Sequence, residues 1–224
     1  MEREQSFDHL AERFDRLGEL TEDAVADWLP TVLPERRRRA IDLGCGAGRH
    51  AIVLAEYFDQ VDAIDLSGPM IRLARRKRPR PNITYLESSI LDTAGQYDFV
   101  TSSATLHHVT DLPAVLRHIR SLVGVGGRAA LTDTVSPRPA NPRWWLYGGE
   151  VRKLARNLIH RNPDAWEIFR LGTGDWLDHR VSDRYLSRAG FEQAYGAAFP
   201  GGAFTRVGGQ HALVWPRPEV TALI

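Results

Sequence analysis

One stretch restricts what this chain can fold into more than any other: Ala40-Ile41-Asp42-Leu43-Gly44-Cys45-Gly46-Ala47-Gly48-Arg49-His50, answered by Val61-Asp62-Ala63-Ile64-Asp65. An apolar run ends in an acid, a glycine-rich turn opens a helix, and a second apolar run ends in another acid. Glycine tolerates positive φ and lets backbone approach a ligand closely, and an acid ending the next strand can accept both hydroxyls of a ribose. The pattern predicts a strand–turn–helix–strand unit that lays out half of a nucleoside pocket.

The glycines follow G-x-G-x-G. A nicotinamide or flavin fingerprint, G-x-G-x-x-G, would need glycine where Arg49 stands, and a pyrophosphate wants an open helix N-terminus. Asp42, just ahead of the first glycine, suits a ligand that carries a cation. The segment resembles motif I of the class I S-adenosylmethionine-dependent methyltransferases. The resemblance continues through Asp65-Leu66-Ser67-Gly68-Pro69-Met70, Ser88-Ser89-Ile90, Tyr97-Asp98-Phe99-Val100, Leu106-His107-His108-Val109 and Gly126-Gly127-Arg128. These look like the successive strand ends of the small-molecule, quinone-biosynthesis-like members, and together they span residues 36–135.

That resemblance implies an α/β, Rossmann-like fold: a seven-stranded, mostly parallel sheet with an antiparallel last strand and helices on both faces. It also implies S-adenosylmethionine as cofactor. Gly44, Gly46 and Gly48 would approach its methionine tail, with Cys45 as a small residue of the same turn and Asp42 as a polar anchor. Asp65 takes the ribose, Leu66 and Met70 flank the adenine, and Ser89 with the Ile90 backbone meets the adenine amino group. Family members commonly carry Asp where Ser89 stands, so this chain departs from the pattern there. Ser103 meets the donor's amino group. Ala11-Glu12-Arg13-Phe14-Asp15 resembles the family's A-x-x-Y-D entry, in which an aromatic closes over the donor; Phe14 keeps the apolar cover without the hydroxyl, and the same helix also reads as a simple docking element.

On the acceptor side, His107 and His108 stand where the family's substrate cavity opens, and Asp133 borders it. Methyl transfer from a sulfonium needs closeness and alignment, with a base only when the acceptor must lose a proton. One imidazole could take that proton, and consecutive residues rarely point the same way; the other reading has both histidines satisfying local backbone groups. The remaining histidines lie without ligand spacing, and neither H-x-x-x-H nor paired C-x-x-C occurs, so no metal is expected.

The 224 residues suffice for one α/β domain with an elaboration, and a net charge of +1 gives no field for nucleic acid. Cys45 is the single cysteine, a packing residue that fits a reducing, cytoplasmic setting. No apolar run is long enough to span a bilayer and the start is not a secretory signal. The expected partner is a small-molecule methyl acceptor, with monomer and homodimer both open.

Residues 1–35 read as an N-terminal helical cap and 36–224 as the methyltransferase domain. Strands are predicted near 39–43, 60–65, 82–87, 97–102 and 127–133, and helices near 48–58, 68–78 and 111–123, the last capped by Asp111. Residues 182–190 read as a short helix ending at Gly190, followed by Phe191 to Ala198 and Gln210 to Pro216 as closing strands. Residues 137–180 are an insertion after the fifth strand. Its Trp144, Trp145, Tyr147, Trp166, Phe169 and Trp176 demand burial, either as a cover completing the core or as a lid over an apolar acceptor.

Overall fold

The computed structural model describes residues 10–138 and 141–216. Its sheet contains β1 (Arg39–Leu43), β2 (Gln60–Asp65), β3 (Ile83–Glu87), β4 (Tyr97–Ser103), β5 (Val123–Asp133), β6 (Ala203–Val207) and β7 (Gln210–Pro216), in the order β3-β2-β1-β4-β5-β7-β6. Strands β1 to β5 pair in parallel, and β7 runs antiparallel between β5 and β6. Strands β1 and β4 are buried on both faces, and the buried hydroxyls of Thr101 and Ser102 donate to the carbonyls of Ala130 and Leu43.

Helices cover both faces. On one, α5 (Leu112–Leu122) and α9 (Arg188–Ala198) bury Leu116, Ile119, Phe191 and Tyr195 against Leu43, Val100 and Leu213. On the other, α2 (Ala24–Trp28), α3 (Arg49–Leu54) and α4 (Gly68–Lys77) bury Val25, Leu54 and Ile71 against Ala40, Phe99 and Ala212. Ser67 caps α4 by accepting from the Met70 amide, and Asp111 caps α5 by accepting from Ala114, each with proline in the first turn. Such a cap contributes about 1 kcal/mol. The arginine run entering β1 is exposed yet anchored: Arg36 and the amides of Arg38 and Arg39 bond the buried Asp98, and Arg39 pairs with Asp62.

Three expectations are corrected. Residues 183–187 are not helical and Phe191 to Ala198 is not a strand. The Ser187 hydroxyl accepts from the Gly190 amide, so this glycine opens α9 instead of ending a helix. Phe191 and Tyr195 then stack at 3.8 Å between centroids, one helical turn apart. Strand β5 starts at Val123, because Gly124 and Gly127 let it pass close to the Tyr97 carbonyl.

The insertion is helical: α6 (Arg143–Ile159), α7 (Ala165–Gly172) and α8 (Asp175–Ser182). Its aromatics are less buried than expected, with Trp144 at 73% and Trp166 at 64% exposure, because Leu146, Ile168, Leu171 and Leu177 occupy the inward positions instead. Residues 1–9 of the cap and 139–140 of the insertion lie outside the described residues. The described part of the cap begins with α1 (Ala11–Glu19), which is tied to the insertion by Arg13, donating to the carbonyls of Leu171, Arg170 and Thr173. Arg16 adds a two-point ion pair to Glu167. Toward the sheet, buried Asp15 holds Lys77 at 2.7 Å and Arg78 at 2.8 Å.

Candidate active site

A cavity of about 480 Å³ opens at the C-terminal ends of β1, β2 and β4, the end at which parallel α/β sheets bind ligands. It is lined by Gly44, Cys45, Gly46, Asp65, Leu66, Met70, Ile90 and Ser103, with Phe14 over it and His108 at the far side. Most sequence-predicted donor residues therefore share one surface.

The turn after β1 uses its glycines differently from one another. Gly46 has φ +51, and a side chain there would meet only the Phe14 ring at 4.0 Å, so this backbone is the one that lies open to a ligand. At Gly44 a Cβ would strike Thr105, and at Gly48, with φ +82, it would strike the Tyr85 hydroxyl at 2.6 Å. Gly48 is not a cavity residue; packing and a left-handed turn into α3 require it. Asp65 ties the glycine turn to the loop ahead of α4, accepting from the Gly46 amide at 2.8 Å and from the Ser67 amide at 2.9 Å.

Asp42 and Ser89 are likewise placed differently from expectation. Asp42 lies beneath the turn, 1% exposed, with no hydrogen-bond partner closer than the loosely placed Ala51 amide. Burial pushes its carboxyl up to about 6, Asp65 adding to the effect while nearby His50 and the Ala51 amide oppose it. A carboxyl so placed does not line the cavity, so the polar anchor expected from the sequence is not a surface of the site. The Ser89 hydroxyl turns to accept from the Leu91 amide, and Ser88 takes the cavity position instead. Burial, with Asp42 and Asp65 nearby, raises the Cys45 thiol well above its ordinary value, so it stays an inert packing group.

Sequence reasoning missed Asp23, Arg49, His50, Thr105 and Gln210 as cavity residues. Asp23 caps α2, and in the folded chain it also pairs with Arg49 at 2.8 Å and His50 at 3.3 Å. Burial opposes its ionisation, but His50, the Ala26 amide and Arg49 outweigh burial and hold the carboxyl well below its usual range. A cap signal was visible in the sequence; the pairing was not. Gln210 reaches the site only because β7 returns beside β5, where its amide oxygen accepts from the Ser103 hydroxyl at 3.4 Å.

The two histidines divide. Only His108 lines the cavity; His107 points to Asp133, with Nδ1 2.5 Å from Oδ1, and neither His107 nor Asp133 borders the open space. Burial pulls His107 down, but the hydrogen bond and charge of Asp133, with Asp183, win and raise it. Burial, reinforced by His107 and His179, pushes His108 down to about 3, so it is a neutral imidazole. A row of rings links the donor cover to this corner: Phe14 to Trp176 at 5.1 Å, Trp176 to His179 at 5.3 Å, His179 to His108 at 5.5 Å, and His108 to His107 at 3.9 Å.

The open cradle at Gly46, the paired acid Asp65 and the buried carboxyl of Asp42 fit a cationic nucleoside, and comparison with known proteins decides the family. A family model described as a methyltransferase domain matches residues 10–193. The chain belongs to this methyltransferase family. It is 31% identical over 152 residues to an uncharacterized methyltransferase of Mycobacterium tuberculosis, covering 64% of this chain and 75% of that one. Over 210 residues it is 23% identical to a demethylmenaquinone methyltransferase of Staphylococcus saprophyticus, covering 88% and 90%. The solved complex of DhpI with SAH has the same fold, with a TM-score of 0.66, 20% identity, and coverage of 95% and 94%. The chain is an S-adenosylmethionine-dependent methyltransferase. In this methyltransferase, no helix among the described residues is long and apolar enough to cross a membrane.

Proposed function

We propose that this methyltransferase acts on a small, apolar or aromatic metabolite, by in-line displacement. One observation carries the reading: a single cavity runs from the glycine turn and Asp65 to His108, Val109 and Gln210, and its cover comes from Phe14. Its volume suits one nucleoside and a small acceptor, not a nucleic-acid strand. The demethylmenaquinone relative supports a quinol-like ring as acceptor. When bound, S-adenosylmethionine supplies an activated methyl group on a sulfonium.

The chain's own groups do the rest. Gly46, Asp65, Leu66, Met70 and Ile90 hold the nucleoside, and Ser103 the tail. His108 meets the acceptor, while Asp133 fixes His107 behind it. Residues 1–35 and 137–180 act as cap and lid, which keep water from the reacting atoms. The reduced Cys45 agrees with a cytoplasmic setting.

The test is calorimetry with S-adenosylmethionine, followed by a screen for S-adenosylhomocysteine release with phenols, quinols and transfer RNA. Donor binding with release on a small aromatic acceptor is expected. Release with RNA alone would overturn the acceptor class, and binding without release from any of them would overturn transfer.

A further inference from the structure

The corner beyond the donor holds more ionisable groups than methyl transfer requires. One donor atom each from His107, His108 and Asp183 lies within 4.8 Å of the other two. The histidines come from the short turn after β4, and Asp183 from the segment that follows α8. The side chains are 7%, 16% and 3% exposed.

Asp183 is the telling member. Its Oδ2 accepts from the Tyr185 hydroxyl at 2.5 Å, but its buried Oδ1 accepts no hydrogen bond and stands 3.7 Å from both His108 Nδ1 and His179 Nε2. A buried carboxylate oxygen left so costs free energy unless something cationic completes it. His108 Nδ1 and His179 Nε2, at 3.7 Å, stand beyond hydrogen-bond distance of this oxygen, and the Arg180 guanidinium is engaged elsewhere, on Glu150 at 2.8 Å.

We propose that His107, His108 and Asp183 bind a divalent first-row transition-metal ion of the zinc class at the acceptor end of the cavity. Two imidazoles and one carboxylate are the donor set such ions favour. Ligands at about 2.0–2.2 Å from a tetrahedral ion stand roughly 3.3–3.6 Å apart, so the 3.7 Å between Asp183 and His108 needs only a small closure. The outer contacts are in place as well. Asp133 holds Nδ1 of His107, which leaves Nε2 as its ligand atom, and Tyr185 orients Asp183; metal-bound histidines and carboxylates are steadied in this way.

His108 also borders the donor cavity, so a remaining coordination position faces the place where the acceptor binds. An acceptor hydroxyl taken there gives up its proton to water. Its oxygen then bonds to the methyl carbon as the carbon–sulfur bond breaks, and the electron pair stays on sulfur. This use of the ion rests on the methyltransferase reading given above; the binding of the ion does not.

The test is titration of chelator-treated protein with Co²⁺, followed by visible absorption and calorimetry, with S-adenosylhomocysteine binding measured on the same samples. One equivalent of Co²⁺ should bind with a ligand-field spectrum and raise the melting temperature. His108→Ala and Asp183→Asn should each lose at least 30-fold in Co²⁺ affinity, while His118→Ala, whose ring bonds the Thr93 carbonyl far from this corner, should not. If Asp183→Asn does not fold, the His108→Ala titration decides. Absence of stoichiometric Co²⁺ binding in the wild type, or equal affinity in His108→Ala, overturns the proposal. Loss of S-adenosylhomocysteine binding in the wild type would instead overturn the donor site.

Discussion

Phe14 and Trp176 stand ring against ring, 5.1 Å apart and tilted by 48°, although one belongs to the first described helix and the other to the insertion after the fifth strand. Phe14 faces the open backbone of Gly46, so the pair joins the glycine turn's neighbour to the insertion. If the contact is energetic, Phe14→Leu and Trp176→Leu will not be additive. A double-mutant cycle on donor binding should give a coupling of about 0.5–1.5 kcal/mol, the range for aromatic pairs. Additivity within error would mean that the two covers act separately.

Asp65 joins the glycine turn to the loop ahead of α4 and carries the ribose reading. Asp65→Asn keeps the shape and removes the charge, and should weaken S-adenosylmethionine binding by roughly 1.5–3 kcal/mol, the scale of hydrogen bonds to a charged group. Calorimetry that finds wild-type affinity in this variant would remove Asp65 from the site.

His108→Ala should lower turnover by about 10²-fold or more and leave the donor's dissociation constant within about twofold of wild type. The split between the two readouts separates an acceptor-side role from a packing role. A parallel fall in donor affinity would make His108 structural.

Asp42 gives a pH dependence with an unusual sign. Its carboxyl is raised from 3.8 to about 6 in the folded chain, so between those values the folded state holds a proton that the unfolded chain has released. The stability this group contributes is complete below pH 4 and is lost as pH rises through 6, by about 3 kcal/mol at 1.36 kcal/mol per unit. Asp42→Asn should therefore gain about that much over wild type between pH 4 and pH 7 in urea unfolding of the donor-free protein. An unchanged difference across that range would show that the carboxyl is not held protonated.

Hydrogen exchange should find α7 and α8 slowing when S-adenosylhomocysteine and an acceptor are both bound, since lids are drawn from the less stable parts of a fold. Exchange as slow as that of β1 and β4 in the free protein would make the insertion plain core.

The sequence revealed the parts whose causes are local. Asp42 stands one residue before the end of β1 and Asp65 at the end of β2, Ser67 and Asp111 cap their helices, and the glycine turn declares itself, so the strand ends and turns that line the cavity were legible, while the placements of Asp42, Gly48 and Ser89 were not. It failed where one residue has two local meanings. Gly190 reads as a helix end when alone, and as a helix start once Ser187 is seen to cap it. Spacing rules also cannot see a cluster whose members lie on separate segments: Asp183 meets His108 only because the three helices of the insertion return the chain to the turn after β4. The outward Trp144 and Trp166 mark a third failure, since side-chain area alone does not say which face of a helix a residue takes.

The anchoring of Arg13 on the carbonyls of Leu171, Arg170 and Thr173 bears on how such an enzyme is re-engineered. A foreign insertion grafted between Asp133 and Arg188 would arrive without the carbonyls that this arginine grips, leaving the first helix unmoored and the donor uncovered. The insertion and the N-terminal helix are thus one inheritable module, and a chimera that exchanges the insertion has to exchange both ends of it together.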